Sequence, residues 1–223
     1  MNHPDWPAFL AAILADPGDD TARLVAADFL EENDDPDRAT FIRIQVALAR
    51  LEAIGQGKSL EADHLRAKER AFLGPLSWYR PVWAANECPE LVRWKPRGGG
   101  RDQLEAMAVD GADRLTWRRG FVERVTCPMM EWHQHGMAVR KRNPIQRVGL
   151  MTVSVLFDRD LWWPMLSSLR GLRLIVLVQS GRIPPDFLGW LRNQLPDVKV
   201  AASDTTSGGV DLPPRRTTNG NQE

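Results

Sequence analysis

The chain has 223 residues, 43% hydrophobic and 26% charged, with 29 basic and 29 acidic side chains and a formal net charge of zero. Those proportions suit a globular chain long enough to bury a core, and they exclude a disordered polymer, a collagen-like fibre and a disulfide-stapled miniprotein. No apolar run approaches the roughly 20 residues that a membrane-spanning helix needs, so no membrane partner is expected.

The charge is unevenly spread. Residues 1–60 carry 11 acidic and 5 basic side chains, net −6, and residues 61–223 carry 18 acidic and 24 basic, net +6. Arg outnumbers Lys by 24 to 5, which suits bidentate contacts to anions and also follows from a GC-rich coding bias. Two cysteines, Cys88 and Cys127, fit thiols in a reducing compartment. The opening Met1-Asn2-His3-Pro4-Asp5-Trp6-Pro7 has neither the basic segment nor the apolar run of a secretory leader, so a cytoplasmic address is expected.

Residues 5–76 read as four short helices. Asp5 can cap the first, with Pro7 in its first turn. Trp6, Phe9, Leu10, Ile13 and Leu14 form its apolar face. After the break at Asp16-Pro17-Gly18-Asp19-Asp20, Asp20 is the expected cap of a second helix with Leu24, Ala27 and Leu30 on one side, flanked by Val25 and Phe29. Asn33-Asp34-Asp35-Pro36 makes the next turn, and Phe41, Ile44, Leu48 and Leu51 stripe a third helix. Gly55 to Ser59 is a loop, and a fourth helix runs from about Leu60 to Leu73, ending at Gly74-Pro75. Residues 77–114 hold Trp78, Tyr79, Trp83, Trp94 and the run Arg97-Gly98-Gly99-Gly100-Arg101, and read as a connector with aromatic anchors.

From about 115 to 200, strand-like runs alternate with helix-like stretches. The runs are Val122 to Cys127, Ile145 to Val153, Leu169 to Val178 and Leu195 to Val200. The helices between them carry stripes such as Leu161, Met165, Leu169 and Phe187, Leu188, Leu191, Leu195, with Asp160 and Pro184-Pro185 as start signals. This alternation predicts parallel strands with helices on one side. A weak repeat underlies it, with apolar residues at positions 1, 4 and 6 as in leucine-rich repeats. Val122, Val125 and Cys127 fit, as do Ile145, Val148 and Leu150, then Leu169, Leu172 and Leu174, then Leu195, Val198 and Val200. Position 9, ordinarily Asn or Cys, holds Met130, Val153, Leu177 and Ser203, so these are degenerate repeats or a small open α/β sheet that resembles them. Residues 201–223 are polar and Gly-rich and read as a disordered tail.

The N-terminal helices resemble the bacterial repeat-companion domain, a module found ahead of leucine-rich repeat regions. The resemblance rests on Phe9-Leu10-Ala11-Ala12-Ile13, the stretch from Pro17 to Glu32, and Ala39-Thr40-Phe41-Ile42-Arg43-Ile44-Gln45. Leu73-Gly74-Pro75-Leu76 and Trp117-Arg118-Arg119-Gly120-Phe121-Val122-Glu123 also look like family features, while Phe29 stands where the family would have Trp. The resemblance implies no enzymatic activity, only an association with repeat-type interaction domains. The expected fold class is therefore α+β. A helical companion domain (1–76) is followed by an aromatic-rich connector (77–114), a small parallel α/β unit like degenerate leucine-rich repeats (115–200) and a tail (201–223).

No cofactor, metal or catalytic constellation is expected. His133-Gln134-His135 are i, i+2 on a helix and diverge, and neither cysteine has metal-site spacing. Asn33-Asp34-Asp35-Pro36-Asp37 lacks the Gly and distal Glu of a calcium loop, and Gly98-Gly99-Gly100 lacks the spacing of a phosphate loop. The polar set Arg23, Asp28, Glu31 and Glu32 reads as an ion pair, Asp28 or Glu32 with Arg23 or Arg43, setting the crossing of helices two and three.

One constellation suggests binding. In the repeat register, positions 3 and 5 face away from the core. They hold Arg124 and Thr126, Arg147 and Gly149, Gly171 and Arg173, Asp197 and Lys199. With strands about 4.8 Å apart, Arg124, Arg147, Arg173 and Lys199 would line one surface, flanked by Arg118 and Arg119 and by Arg140-Lys141-Arg142. The expected function is a non-catalytic protein–protein interaction module or scaffold using that face for an acidic partner. The alternative is a nucleic-acid-binding accessory protein using the same face. A competing explanation of the charge split is that the acidic N-terminal unit covers the basic face of its own chain. Trp78, Trp83, Trp94 and Trp117 are candidates for such a seam.

Overall fold

The computed structural model describes residues 3–73, 88–97, 101–106, 115–151, 159–179 and 183–204. The fold is α+β: an N-terminal helical unit followed by a mostly parallel five-stranded sheet with its helices.

Helices α1 (Trp6–Ala15), α2 (Asp20–Glu32), α3 (Pro36–Ala53) and α4 (Leu60–Leu73) fall where the apolar periodicity puts them. Two caps differ from expectation. Asp5 precedes α1 with φ −85° and ψ −15°, already helical, and its carboxylate caps nothing. A side-chain cap needs an extended residue that folds back over the first turn. Asp19 meets that condition with φ −75° and ψ 112°, and its carboxylate accepts the Thr21 N–H at 2.8 Å. Asp20 is instead the first residue of α2.

Helix α3 is buried on nearly every side. Ile42 and Val46 pack with Ile13, Ala26, Ala27 and Leu30 of α1 and α2. On another side, Ile44, Leu48 and Leu51 meet Ala62, Leu65 and Phe72 of α4. The sequence stripe (Phe41, Ile44, Leu48, Leu51) is buried but is only part of the buried surface.

Strands β1 (Val92–Arg97) and β2 (Arg101–Ala106) form an antiparallel hairpin within the stretch read as a connector without elements. Trp78 and Trp83 lie outside the described residues, as do residues 98–100 and 205–223.

The main sheet runs β3 (Leu115–Arg118), β4 (Phe121–Pro128), β5 (Arg147–Met151), β6 (Leu174–Gln179) and β7 (Lys199–Asp204), in chain order. β3 pairs antiparallel with β4, and β4 through β7 are parallel. Helices α5 (Met129–Arg142), α6 (Arg159–Leu169) and α7 (Pro185–Gln194) make the crossovers. Trp132, Trp162, Met165, Phe187 and Leu191 of these helices share one core with Val125, Val148, Ile175 and Val200 of the strands, so the three helices lie on one side. Sequential strand order with one-sided helices is the winding of a solenoid. β7 reaches Asp204, four residues beyond the expected end of the unit.

The register corrects the repeat alignment. Val125, Val148, Ile175 and Val200 are lateral partners, and so are Cys127, Leu150, Leu177 and Ala202. The first two repeats are in phase as read, the third is displaced by three residues and the fourth by two. Leu169, assigned to a strand position, ends α6 and is buried there. A Leu/Val-rich segment satisfies the 1-4-6 pattern in several frames, and only backbone pairing selects one.

Candidate functional site

The predicted surface resolves into two parts with different chemistry. The first is a row at the starts of the parallel strands. Arg124, Arg147, Leu174 and Lys199 are lateral partners on the face away from α5, α6 and α7. Arg147 and Lys199 are exposed, and Arg124 and Leu174 are half-buried. Arg173 is not a member of the row. It precedes β6 by one residue, and its N–H donates to the Gln146 carbonyl while its own carbonyl accepts from the Lys199 N–H. The slipped third repeat therefore puts Leu174 where an arginine was expected. The next row is not open: Thr126 and Val176 are buried beside Gly149. The exposed basic surface is thus one row deep.

The second part is the seam between the helical unit and the β3–β4 hairpin, and here Arg118 and Arg119 are engaged within the chain. Arg118 pairs with Glu52 of α3 at 3.2 Å, and Arg119 with Asp20 of α2 at 2.9 Å. The same Asp20 meets Arg50 at 3.0 Å, and Glu52 also meets Arg66. The acidic N-terminal unit thus covers this flank of the basic unit, the competing arrangement that the charge split allowed.

Between those pairs the hairpin turn enters the helical unit. Phe121 is fully buried in the cluster of α1, α2 and α3 and stacks on Trp6 at 6.4 Å. Trp117 meets Phe41 edge-on at 5.7 Å, which places it in the seam. Gly120 has φ +84°, and a Cβ there would sit 2.3 Å from Ile42 Cγ1. Its N–H donates to Gln45 Oε1 at 2.8 Å, while Gln45 Nε2 donates to Glu69 at 2.6 Å. A bare left-handed residue and a buried amide together let the turn lie directly on α3.

Arg23 is fully buried at the centre of this seam. It donates to the carbonyls of Arg119 and Pro17 and to Glu123 Oε1, at 2.9, 2.8 and 3.1 Å. Its guanidinium lies 5.2 Å from the Phe121 ring centre, as does that of the buried Arg38. Burial pushes the Arg23 pKa down to about 10, against the pull of Glu123. Burial also raises the Glu123 carboxyl above its ordinary range, opposed by Arg23 and Arg119. A shift in register near Thr116 and Trp117 explains how Glu123 reaches the seam. Thr116 faces Arg124 and Trp117 faces Val122, so Glu123 is the extra residue of a bulge, a device that re-aims a side chain.

The expected pair between α2 and α3 is Arg43 with Asp28 and Glu31, both at 2.7 Å, with the two carboxylates exposed and Arg43 half-buried. Glu32 takes no part, and Arg23, read as a partner within the helical unit, looks instead to the sheet. The other flank, Arg140-Lys141-Arg142, ends α5. Arg140 donates to the carbonyls of Ser168 and Arg170, closing the end of α6, and Arg142 pairs with Glu90. Sequence reading did not pick out Gln45, Glu123 or Gly120 as seam residues. Gly120 within Arg118-Arg119-Gly120-Phe121 was the readable signal, because a glycine between strands marks a tight turn.

Cys88 and Cys127 are both buried, and they are not joined in a disulfide. Among the described residues no cluster of His, Cys, Asp or Glu could hold a metal ion, and no helix is long and apolar enough to cross a membrane. The chain matches no family model, no curated protein and no solved structure.

Proposed function

We propose that the chain is a non-catalytic protein-interaction module or scaffold that docks an acidic protein surface on the basic row at the strand starts. Within this reading the helical unit is a repeat-companion-type module that covers the hairpin edge of a short solenoid. The observation that carries it is the lateral register of Arg124, Arg147 and Lys199 on the face without helices.

The second reading, a nucleic-acid-binding accessory protein, is favoured by the arginine excess. It is disfavoured by the zero net charge and by the row itself, which offers Leu174 and no aromatic platform for a base among its members. The test is a salt-titrated comparison of polyglutamate with single-stranded and duplex nucleic acid on the full chain. Polyglutamate binding that disappears in Arg124→Gln/Lys199→Gln supports the proposal. Tighter nucleic-acid binding with a steep salt slope supports the second reading, and binding to neither sinks both.

A further inference from the structure

We infer that one occupant of the basic row is the acidic corner of a second copy of this chain, so that copies associate head to tail. The inference rests on the proposed docking row and names its partner. The corner is the end of α2, the turn and the start of α3, where Glu32, Asp34 and Asp37 are all exposed. Arg43 takes up the neighbouring Asp28 and Glu31. Among the described residues Glu32, Asp34 and Asp37 have no cation within 4.0 Å, and Arg124 and Lys199 have no carboxylate within that distance.

The corner is rigid. The Asp35 N–H donates to the Leu30 carbonyl at 2.9 Å, Asn33 Nδ2 donates to the Phe29 carbonyl at 2.8 Å, and Asp34 sits at φ +64°. The row spans three strand spacings, about 14 Å from β4 to β7. The corner does not close its own chain's seam. Asp20, at the opposite end of α2, is the residue that meets Arg119, and the helix carries Glu32 about 18 Å away from it. The seam is closed by one set of carboxylates while another set, at the far end of the same helix, faces solvent.

Charge complementarity points to a copy of the same chain. Residues 1–60 carry net −6 and residues 61–223 net +6, so each copy holds both halves of the contact. A net charge of zero leaves no long-range repulsion between copies. Corner on row is a heterologous contact, which leaves one corner and one row open on every assembly until a ring closes.

Sedimentation velocity of the full chain tests this at low ionic strength, where the Debye length is about 30 Å, and at about 1 M salt, where it is about 3 Å. The expected result is a mass that rises with concentration at low salt and returns to the monomer at high salt. Two variants complete the test: a corner variant, Glu32→Gln/Asp34→Asn/Asp37→Asn, and a row variant, Arg124→Gln/Lys199→Gln. Each alone stays monomeric, and an equimolar mixture gives a 1:1 dimer and nothing larger, because one intact corner meets one intact row. A monomer under all conditions overturns the inference, as does an oligomer that persists at high salt or in either variant. The polyglutamate assay separates the two levels. Row-dependent polyglutamate binding by a strictly monomeric chain leaves the acidic-partner reading standing without self-association, and loss of both overturns both.

Discussion

Arg23 and Glu123 are 100 residues apart in the chain and 3.1 Å apart in the fold, with Arg23 completely buried. This pair joins the helical unit to the sheet. Removing one partner of a buried pair leaves the other charge uncompensated, at about 3–5 kcal/mol, whereas replacing both with apolar groups is often nearly neutral. Glu123→Ala should therefore lower unfolding free energy by about 3 kcal/mol, and Arg23→Met/Glu123→Leu should lose less than Glu123→Ala alone. Urea unfolding of the three chains measures both. A double variant weaker than the single one would contradict a desolvation-dominated pair.

The pH dependence has a definite sign. Glu123 is raised above its ordinary 4.5, chiefly by burial, so the folded state holds that proton more tightly than the unfolded chain. Its contribution to stability is fully present below 4.5 and is lost as pH rises through the raised value. Glu123→Gln keeps a carbonyl oxygen for Arg23 and removes the titration. The difference in stability between wild type and Glu123→Gln should shift against the wild type as pH rises from acid to neutral. A difference independent of pH would show that the carboxyl does not titrate in this range.

Gly120 is the tightest point of the seam. An alanine Cβ would lie 2.3 Å from Ile42 Cγ1 and 2.9 Å from Ile42 Cα, on a backbone at φ +84°. The left-handed conformation and the overpacking each cost about 1–3 kcal/mol. Gly120→Ala should thus be among the most damaging single substitutions in the chain, and Gly55→Ala, at φ +79° with nothing within 4 Å, should cost only the backbone part. Thermal melts of the two variants give the comparison.

Gln45 joins α3, α4 and the hairpin through two hydrogen bonds. Gln45→Leu keeps the bulk and leaves the Gly120 N–H and Glu69 without that partner. An unsatisfied buried group costs about 1–3 kcal/mol. Amide exchange at Gly120 should accelerate in this variant before exchange in β5 and β6 does, because the seam is weakened and the sheet core is untouched.

The basic residues should separate by role. Arg119→Gln breaks contacts to Asp20 and Glu123 and should lower stability by up to about 1 kcal/mol, as for partly exposed ion pairs. Lys199→Gln lies on an exposed position and should change stability by less than about 0.5 kcal/mol, its effect appearing in polyglutamate binding instead. A Lys199→Gln chain that melts early would move this residue from the docking row to the structural class.

The four helices, the parallel alternation after residue 115 and the turn at Asn33 to Pro36 were legible in the sequence, because each rests on local periodicity or a local breaker. Charge segregation was legible too, as a count. Which arginines remain exposed was not. Arg118, Arg119 and Arg124 look alike in a string, yet the first two meet Glu52 and Asp20 and the third has no carboxylate within reach among the described residues. The frame of the third repeat was undecidable as well, because Leu172, Leu174, Ile175 and Leu177 satisfy the same pattern in two phases, and a shift of three residues reverses which side chains face the core.

Local patterning, then, was enough to set the elements and their order, since helix and strand periods are properties of neighbouring residues. Pairing register and the bulge at Glu123 arose only when neighbouring strands paired, and the burial of Arg23 only when segments a hundred residues apart came together. Side-chain environment is a property of the packed whole, and no stretch of chain carries it alone.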